Sequence, residues 1–316
     1  MKRIFVLLVA LLLCAVLTGC GAPKSVRIVD VAAGDFLAAV VFSDGSAALS
    51  GKCLAEIGVE KLPNFSGTVA KWKNVVDIAV GDNHVIALLK NGTVVAAGSN
   101  QEGQCNVESW RDVVSVEAGD AVSVGITKDG TVLTAGTVNR IAIVGGKITS
   151  DEVEQDMSGI TEAAKARASL IGTVVLHKDG HCTTVGISPD GAFDGVDRWE
   201  NMKDVDCNGS HTIGVRNDGT VIAVGANADG RCNVSRWTDV VQVACGAHSV
   251  ALKADGTVVA KGGKRAACNV GDWTDIVFIT ASTNDTLGLR SDGTIVACGL
   301  NVEKWDIALW NARVTQ

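Results

Sequence analysis

Residues 240–262 read VVQVACGAHSVALKADGTVVAKG. Val240 to Ala244 reads as one strand, His248 to Lys253 as a second and Thr257 to Ala260 as a third, each short, β-branched and bounded by turn residues. Pairing decides the length of the loop between the last two. With a three-residue loop, Ala254-Asp255-Gly256, Leu252 faces Val258 and Lys253 faces Thr257, apolar on apolar and polar on polar. A two-residue loop would set Lys253 against Val258. The stretch is therefore read as a hairpin whose three-residue loop ends on a glycine in the left-handed conformation.

The same turn recurs along the whole chain. An Asp-Gly or Asn-Gly step followed six residues later by a second glycine occurs at Gly45, Gly92, Gly130, Gly180, Gly219, Gly256 and Gly293, the seven turn markers. Their second glycines are Gly51, Gly98, Gly136, Gly186, Gly225, Gly262 and Gly299. Copies recur every 37 to 50 residues, the period of a propeller blade. A second marker closes most copies: Asn106-Val107 to Trp110, Asn233-Val234 to Trp237, Asn269-Val270 to Trp273 and Asn301-Val302 to Trp305, while Trp72 and Trp199 keep the tryptophan alone. The expected repeats are about 26–74, 75–112, 113–159, 160–204, 205–239, 240–275 and 276–316. With 47% hydrophobic but 4% aromatic residues and no Tyr, the core is Val, Ala, Leu and Ile, which suits thin, closely stacked sheets.

These repeats resemble the regulator of chromosome condensation repeat, in the bacterial style where a loop such as SNQEGQCNV precedes the Trp. The resemblance runs from about Val26 to the end and implies an all-β, seven-bladed β-propeller. The first copy (LSGKCLAEIGVEKLPNF) and the third (GTVNRIAIVGGKITSDEVEQDMSG) depart from it with longer inserts. After Trp305 the run Asp306 to Trp310 imitates the first strand that follows Trp273. An eighth first strand is expected there, pairing into the blade begun near 26–31 so that no sheet edge is left open.

The N-terminus carries its own signal. Lys2 and Arg3 precede fourteen apolar residues, Ile4 to Leu17, and then Leu17-Thr18-Gly19-Cys20. That is a secretory leader, residues 1–19, too short to span a bilayer. LTGC resembles the bacterial lipobox, which implies lipid on Cys20, a linker over 20–25 and membrane attachment outside the cytoplasm. The formal charge is −7. Loss of Lys2 and Arg3 leaves 26 basic against 35 acidic residues, or −9, which argues against nucleic acid as a partner.

Catalytic signatures are missing from the sequence: there is no nucleophile elbow, phosphate loop or paired zinc motif. His84, His211 and His248 each lie eight residues before a turn glycine and read as second-strand scaffold. His177 and His181 become direct cross-strand neighbours under a three-residue loop, a weak metal candidate with no third ligand nearby. The loops 188–191 and 227–230 lack the acid spacing of calcium loops and read as solvated turns. Cys105, Cys232 and Cys268 occupy one equivalent position a blade apart, out of disulfide reach, and free buried thiols are expected. No cofactor is implied. What varies between copies is the segment after the second glycine, and equivalent points in every blade project from one rim. The expectation is a non-catalytic binding protein, its partner a protein or cell-wall polymer; the alternative is a propeller hydrolase or lyase acting on glycans, which needs converging carboxylates.

Overall fold

The alternation that sets each strand and the glycine that ends each hairpin build one three-stranded meander seven times. The computed structural model describes residues 25–51, 65–144, 147–153, 157–262 and 265–314. The leader 1–19, Cys20, Cys53 and most of the first insert lie outside the described residues. The sheets, or blades, are β1 (Ile28–Ala33), β2 (Leu37–Phe42), β3 (Ala47–Gly51); then β4 (Val75–Val80), β5 (His84–Leu89), β6 (Val94–Gly98); and β7 (Val113–Ala118), β8 (Val122–Thr127), β9 (Val132–Gly136). An extra hairpin, β10 (Val138–Val144) and β11 (Lys147–Val153), occupies the third-copy insert. There follow β12 (Ala163–Ser169), β13 (Gly172–His177), β14 (Cys182–Gly186); β15 (Met202–Asn208), β16 (His211–Arg216), β17 (Val221–Gly225); β18 (Val240–Cys245), β19 (Ser249–Lys253), β20 (Val258–Lys261); and β21 (Ile276–Ala281), β22 (Asp285–Arg290), β23 (Ile295–Gly299). Two short helices complete the chain, α1 (Ser66–Val69) and α2 (Ile307–Val314). The fifth sheet opens at Met202, inside the fourth repeat as delimited from sequence, because the apolar Met202 pairs with Arg216 ahead of a bulge.

Hairpin register follows the apolar-on-apolar rule. Leu252 pairs with Val258, the Lys253 amide donates to the Thr257 carbonyl at 2.9 Å, and the Gly256 amide closes the loop onto Lys253 at 3.0 Å. Each first strand carries a bulge near its start, as between Val75 and Asp77 or Val240 and Gln242, which strengthens the twist and leaves one residue outside the ladder.

First strands pack against the first strands of both neighbours all round the ring, so they line the axis, and the third strands lie outermost. The turns couple the blades. The carbonyl of each turn glycine accepts the first amide of the next blade: Val75 from Gly45 at 3.0 Å, Val113 from Gly92 at 3.0 Å, and so on to Ile28 from Gly293 at 3.2 Å. That last bond joins the seventh blade to the first and makes the set cyclic.

Tryptophans fill the wedge between blades against small residues. A Cβ at Gly125 would lie 2.8 Å from the Trp110 ring, and one at Gly288 would lie 2.9 Å from Trp273. In the third copy Ile160 stands where Trp110 stands in the second, its amide donating to Met157 as Trp110 donates to Val107, and the facing residue is the larger Val175. Large against small and medium against medium conserve the packed volume.

The C-terminus corrects one expectation. Residues 307–314 form a helix, α2, and no eighth strand is present among the described residues. Its Trp310 and Val314 bury into a cluster with Phe42 of blade 1 and Ile295 of blade 7. The Asn311 side chain accepts from the Ile295 amide and donates to the Ile295 carbonyl, both at 2.8 Å, satisfying the open edge of β23 as a strand would. Arg313 then reaches Asp44 at 2.8 Å and lies over the Phe42 ring. Asn311, Ala312 and Arg313 separate the two buried residues at i, i+4 helical spacing, so the segment satisfies the edge from a helix face.

Candidate binding face and acidic cluster

The meander gives the ring two unlike faces. The turn face carries the seven Asp/Asn-Gly loops. The loop face carries the links from first to second strands, and the variable segments leave from it too. Ser99 donates to the Asn83 carbonyl at 2.8 Å, Ile187 to Ile171 at 2.9 Å, Ala226 to Ser210 at 2.9 Å and Leu300 to Asn284 at 3.3 Å. Thr137 makes the same bond to Ala121 at 3.1 Å, so β10 and β11 also spring from this face.

Side-chain clamps hold these segments. Asn100 accepts from the Cys105 amide at 2.7 Å and donates to Asn106 at 2.9 Å; Asn227 repeats this with Cys232 at 2.9 Å and Asn233 at 3.0 Å. Blade 4 reaches the same shape differently, through Ser188 to Asp194 at 2.9 Å and Phe193 to Ser188 at 2.9 Å. The loop frame is thus constant while the exposed residues between clamps change: Gln101 in one, Asp190 in another, Ala228 and Asp229 in a third. Asp229 is held by a two-pronged pair with Arg231, at 2.8 and 2.6 Å.

Three carboxylates from consecutive blades gather on the same face. Asp35, Asp82 and Asp120 sit in the links after β1, β4 and β7. Asp35 accepts the Thr283 amide of blade 7 at 2.8 Å. Burial and the neighbouring Asp35 push Asp82 up to about 6. Burial, with Asp82 and Asp35 adding repulsion, pushes Asp120 up to about 8. Burial and mutual repulsion thus make the pair hold a proton to higher pH than isolated carboxylates would. The sequence signal was a Gly-Asp step after the first strand in the first three copies, Gly34-Asp35, Gly81-Asp82 and Gly119-Asp120. Sequence reasoning missed it because a glycine-acid link reads as a solvated turn. Nearer the axis Arg167 pairs with Glu117 and, at 3.4 Å, with Asp206, and Lys165 pairs with Asp204, tying blades 3, 4 and 5.

The residues singled out in the sequence are placed as follows. The turn glycines all have φ between 79° and 91°. His177 and His181 stack, centroids 3.9 Å apart. Both nitrogens of His177 are engaged, with the Thr161 carbonyl and the Thr183 hydroxyl at 2.9 Å each, and His181 pairs with Asp179 at 2.6 Å, leaving no convergent lone pairs for an ion. No cluster of three or more His, Cys, Asp or Glu with metal-binding geometry occurs among the described residues. The repeated histidines bridge blades. Ser123 gives its hydrogen to the Gln104 carbonyl at 2.7 Å, so His84 Nε2 donates to Ser123 at 2.9 Å and the ring is neutral. Thr286 and His248 repeat the arrangement. Burial lowers His84 and His248 to about 4, and burial together with Arg231 lowers His211 to about 3. Seven cysteines among the described residues are free thiols. Burial pushes Cys207 up to about 12, away from nucleophilic use.

Comparison with known proteins bears on this fold. The regulator of chromosome condensation (RCC1) repeat profile matches residues 75–104 and 202–231. A search of curated protein sequences finds no match. The structure is similar to the CRINKLY WD40 ectodomain of the Arabidopsis thaliana receptor kinase ACR4, at 16% identity over 88% of this chain and 95% of that one, TM-score 0.60. Human WBSCR16 is similar at 15% identity over 85% and 88%, TM-score 0.58. Yeast RCC1 (Prp20), in a complex with Kap60, is similar at 15% identity over 89% and 68%, TM-score 0.50; in a second structure of Prp20p, from Saccharomyces cerevisiae, the chain spans 62% of that protein at TM-score 0.49. At such identities the likeness is one of fold. With seven meanders closed in a ring, this chain is a seven-bladed β-propeller, two of whose blades match the regulator of chromosome condensation repeat profile.

Proposed function

We propose that the protein is a lipid-anchored, non-catalytic binding protein outside the cytoplasm that recognises a protein or cell-wall polymer through its loop face. The supporting observation is the constant clamp with variable contents: the Asn100 and Asn227 frames fix the loop path while the residues they present differ from blade to blade. Variable side chains on a rigid frame are the arrangement of a recognition surface. Yeast RCC1 (Prp20), similar in fold, is a protein found bound to Kap60. The attachment through Cys20 rests on the leader, Leu17 to Cys20. A photocrosslinker at the exposed Ala228 of the same face should capture a partner on intact cells, and replacing 100–104 and 188–194 with Gly-Ser sequence should abolish the capture. Capture that survives the exchange defeats the reading.

A second reading has its own observation. Asp82 and Asp120 are neighbouring carboxylates whose burial and mutual repulsion raise their proton affinity, so that the pair can hold a proton for acid and base roles on a glycan. On this reading Asp120 donates the proton and Asp82 acts as base or nucleophile. Cell-wall glycan incubated with the protein would be shortened, and Asp120→Asn would stop it; unchanged glycan with the unaltered protein removes the reading.

A further inference from the structure

Each first-strand bulge frees one residue from the ladder, and the seven freed residues stand at the turn face around the axis. Lys203 is the one polar member. Val76, Val241 and Val277 are the most open, exposed at 40%, 42% and 39%. With the half-buried Val29 they form an unbroken arc over four consecutive blades, 6, 7, 1 and 2. Val29 packs partly against the core between blades 1 and 2, whereas Val76, Val241 and Val277 stand exposed to solvent and are free to contact something outside the ring.

The chain enters the ring in the middle of that arc, on the same face. The Arg27 carbonyl accepts from the Ser43 amide at 2.8 Å and its amide donates to the Ser43 hydroxyl at 3.0 Å, so Arg27 lies on the turn of the first blade, one residue before β1. Only Gly21 to Ser25 separate Val26 from Cys20. Six residues span at most about 20 Å when fully extended. Lipid on Cys20 would thus hold the arc at the bilayer, while the loop face, with Asp35, Asp82 and Asp120, looks the other way.

We infer that the valine arc on the turn face of blades 6, 7, 1 and 2 is a membrane-apposed surface that seats on the boundary between lipid headgroups and acyl chains. The inference rests on the lipid anchor proposed above and adds the orientation: the recognition loops are turned outward. Two other apolar residues define the competing orientations. Leu300, 52% exposed, lies on the loop face, and Leu309, 69% exposed, lies on the outer wall beside the join of blades 7 and 1.

The test uses the full-length protein purified with its own lipid and reconstituted into vesicles of phosphatidylglycerol and phosphatidylethanolamine containing a brominated phosphatidylcholine. A fluorescent amino acid is placed genetically at position 76, 241, 300 or 309, one per sample. Emission at 76 and 241 should fall by at least about half, with little change at 300. Strongest quenching at 300 or 309, or equal quenching at all four, overturns the orientation. The mass of the N-terminal peptide separates the two failures. A peptide without acyl chains removes the anchor and this inference together, whereas an acylated peptide with unquenched 76 and 241 removes the orientation alone.

Discussion

Two glycines in each repeat look alike in sequence and do different work. Gly256 has φ 81°, and a Cβ there would meet nothing nearer than 3.4 Å, so its cost to alanine is backbone strain alone. Gly225 has φ 113° and pairs with His211; a Cβ would lie 2.5 Å from the Ser210 carbonyl oxygen. The fixed six-residue offset exists because the second glycine lets the end of the third strand pass close to the start of the second. Gly256→Ala should lower unfolding free energy by about 1 kcal/mol, and Gly225→Ala by roughly 3 kcal/mol, since backbone must move. Urea denaturation of both variants checks this, and equal losses would refute the distinction. The turn glycines were legible because Asp-Gly chemistry is local. The acid trio was not, because nothing within any one repeat says that Asp35, Asp82 and Asp120 meet.

The decisive element is α2. It occupies the position where a closing strand was expected, yet the ring is closed without it by the Gly293 to Ile28 bond and by the Asp35 contacts to blade 7. The helix adds a wedge between two outer strands. Trp310→Ala empties a buried site and should cost about 3 to 5 kcal/mol. Asn311→Leu should cost less, leaving the Ile295 amide and carbonyl unpaired at one sheet edge, roughly 1 to 3 kcal/mol. Thermal unfolding followed by circular dichroism reads both; an unchanged midpoint for Trp310→Ala would show that the helix does not support the ring. Ile307 to Trp310 reads equally well as strand or helix over so few residues, and the partner edge decides between them.

Across the whole molecule the buried titratable groups set opposing trends with pH. His84, His211 and His248 are depressed from 6.5 to about 4, 3 and 4, so the unfolded chain binds more protons than the folded one in that window, and their contribution is full above pH 6.5 and lost as pH falls. Asp82 and Asp120 are raised from 3.8 to about 6 and 8, so the folded chain holds their protons longer, and their contribution is lost as pH rises through those values. Three histidines outweigh the raised acids below pH 6, and the raised acids prevail above pH 7. Stability should rise from about pH 4, peak near pH 6.5 and decline toward pH 8. Asp120→Asn should remove the alkaline decline and leave the acid limb. A melting temperature still falling between pH 7 and 8 in that variant would exclude Asp120 as the cause.

The repeat, its count and its hairpin register were set by the sequence alone, because alternation and turn glycines act over a few residues and each of the seven copies restates them. The expected leader, with lipid on Cys20, likewise rests on the sequence. What only the tertiary structure decided lies between copies: the cyclic bond from blade 7 to blade 1, the helix at the seam, the pairing of Trp110 with Gly125 and of Ile160 with Val175, and the meeting of three acids on the loop face. Those depend on which residues the ring brings together from distant parts of the chain, and no local pattern encodes that juxtaposition.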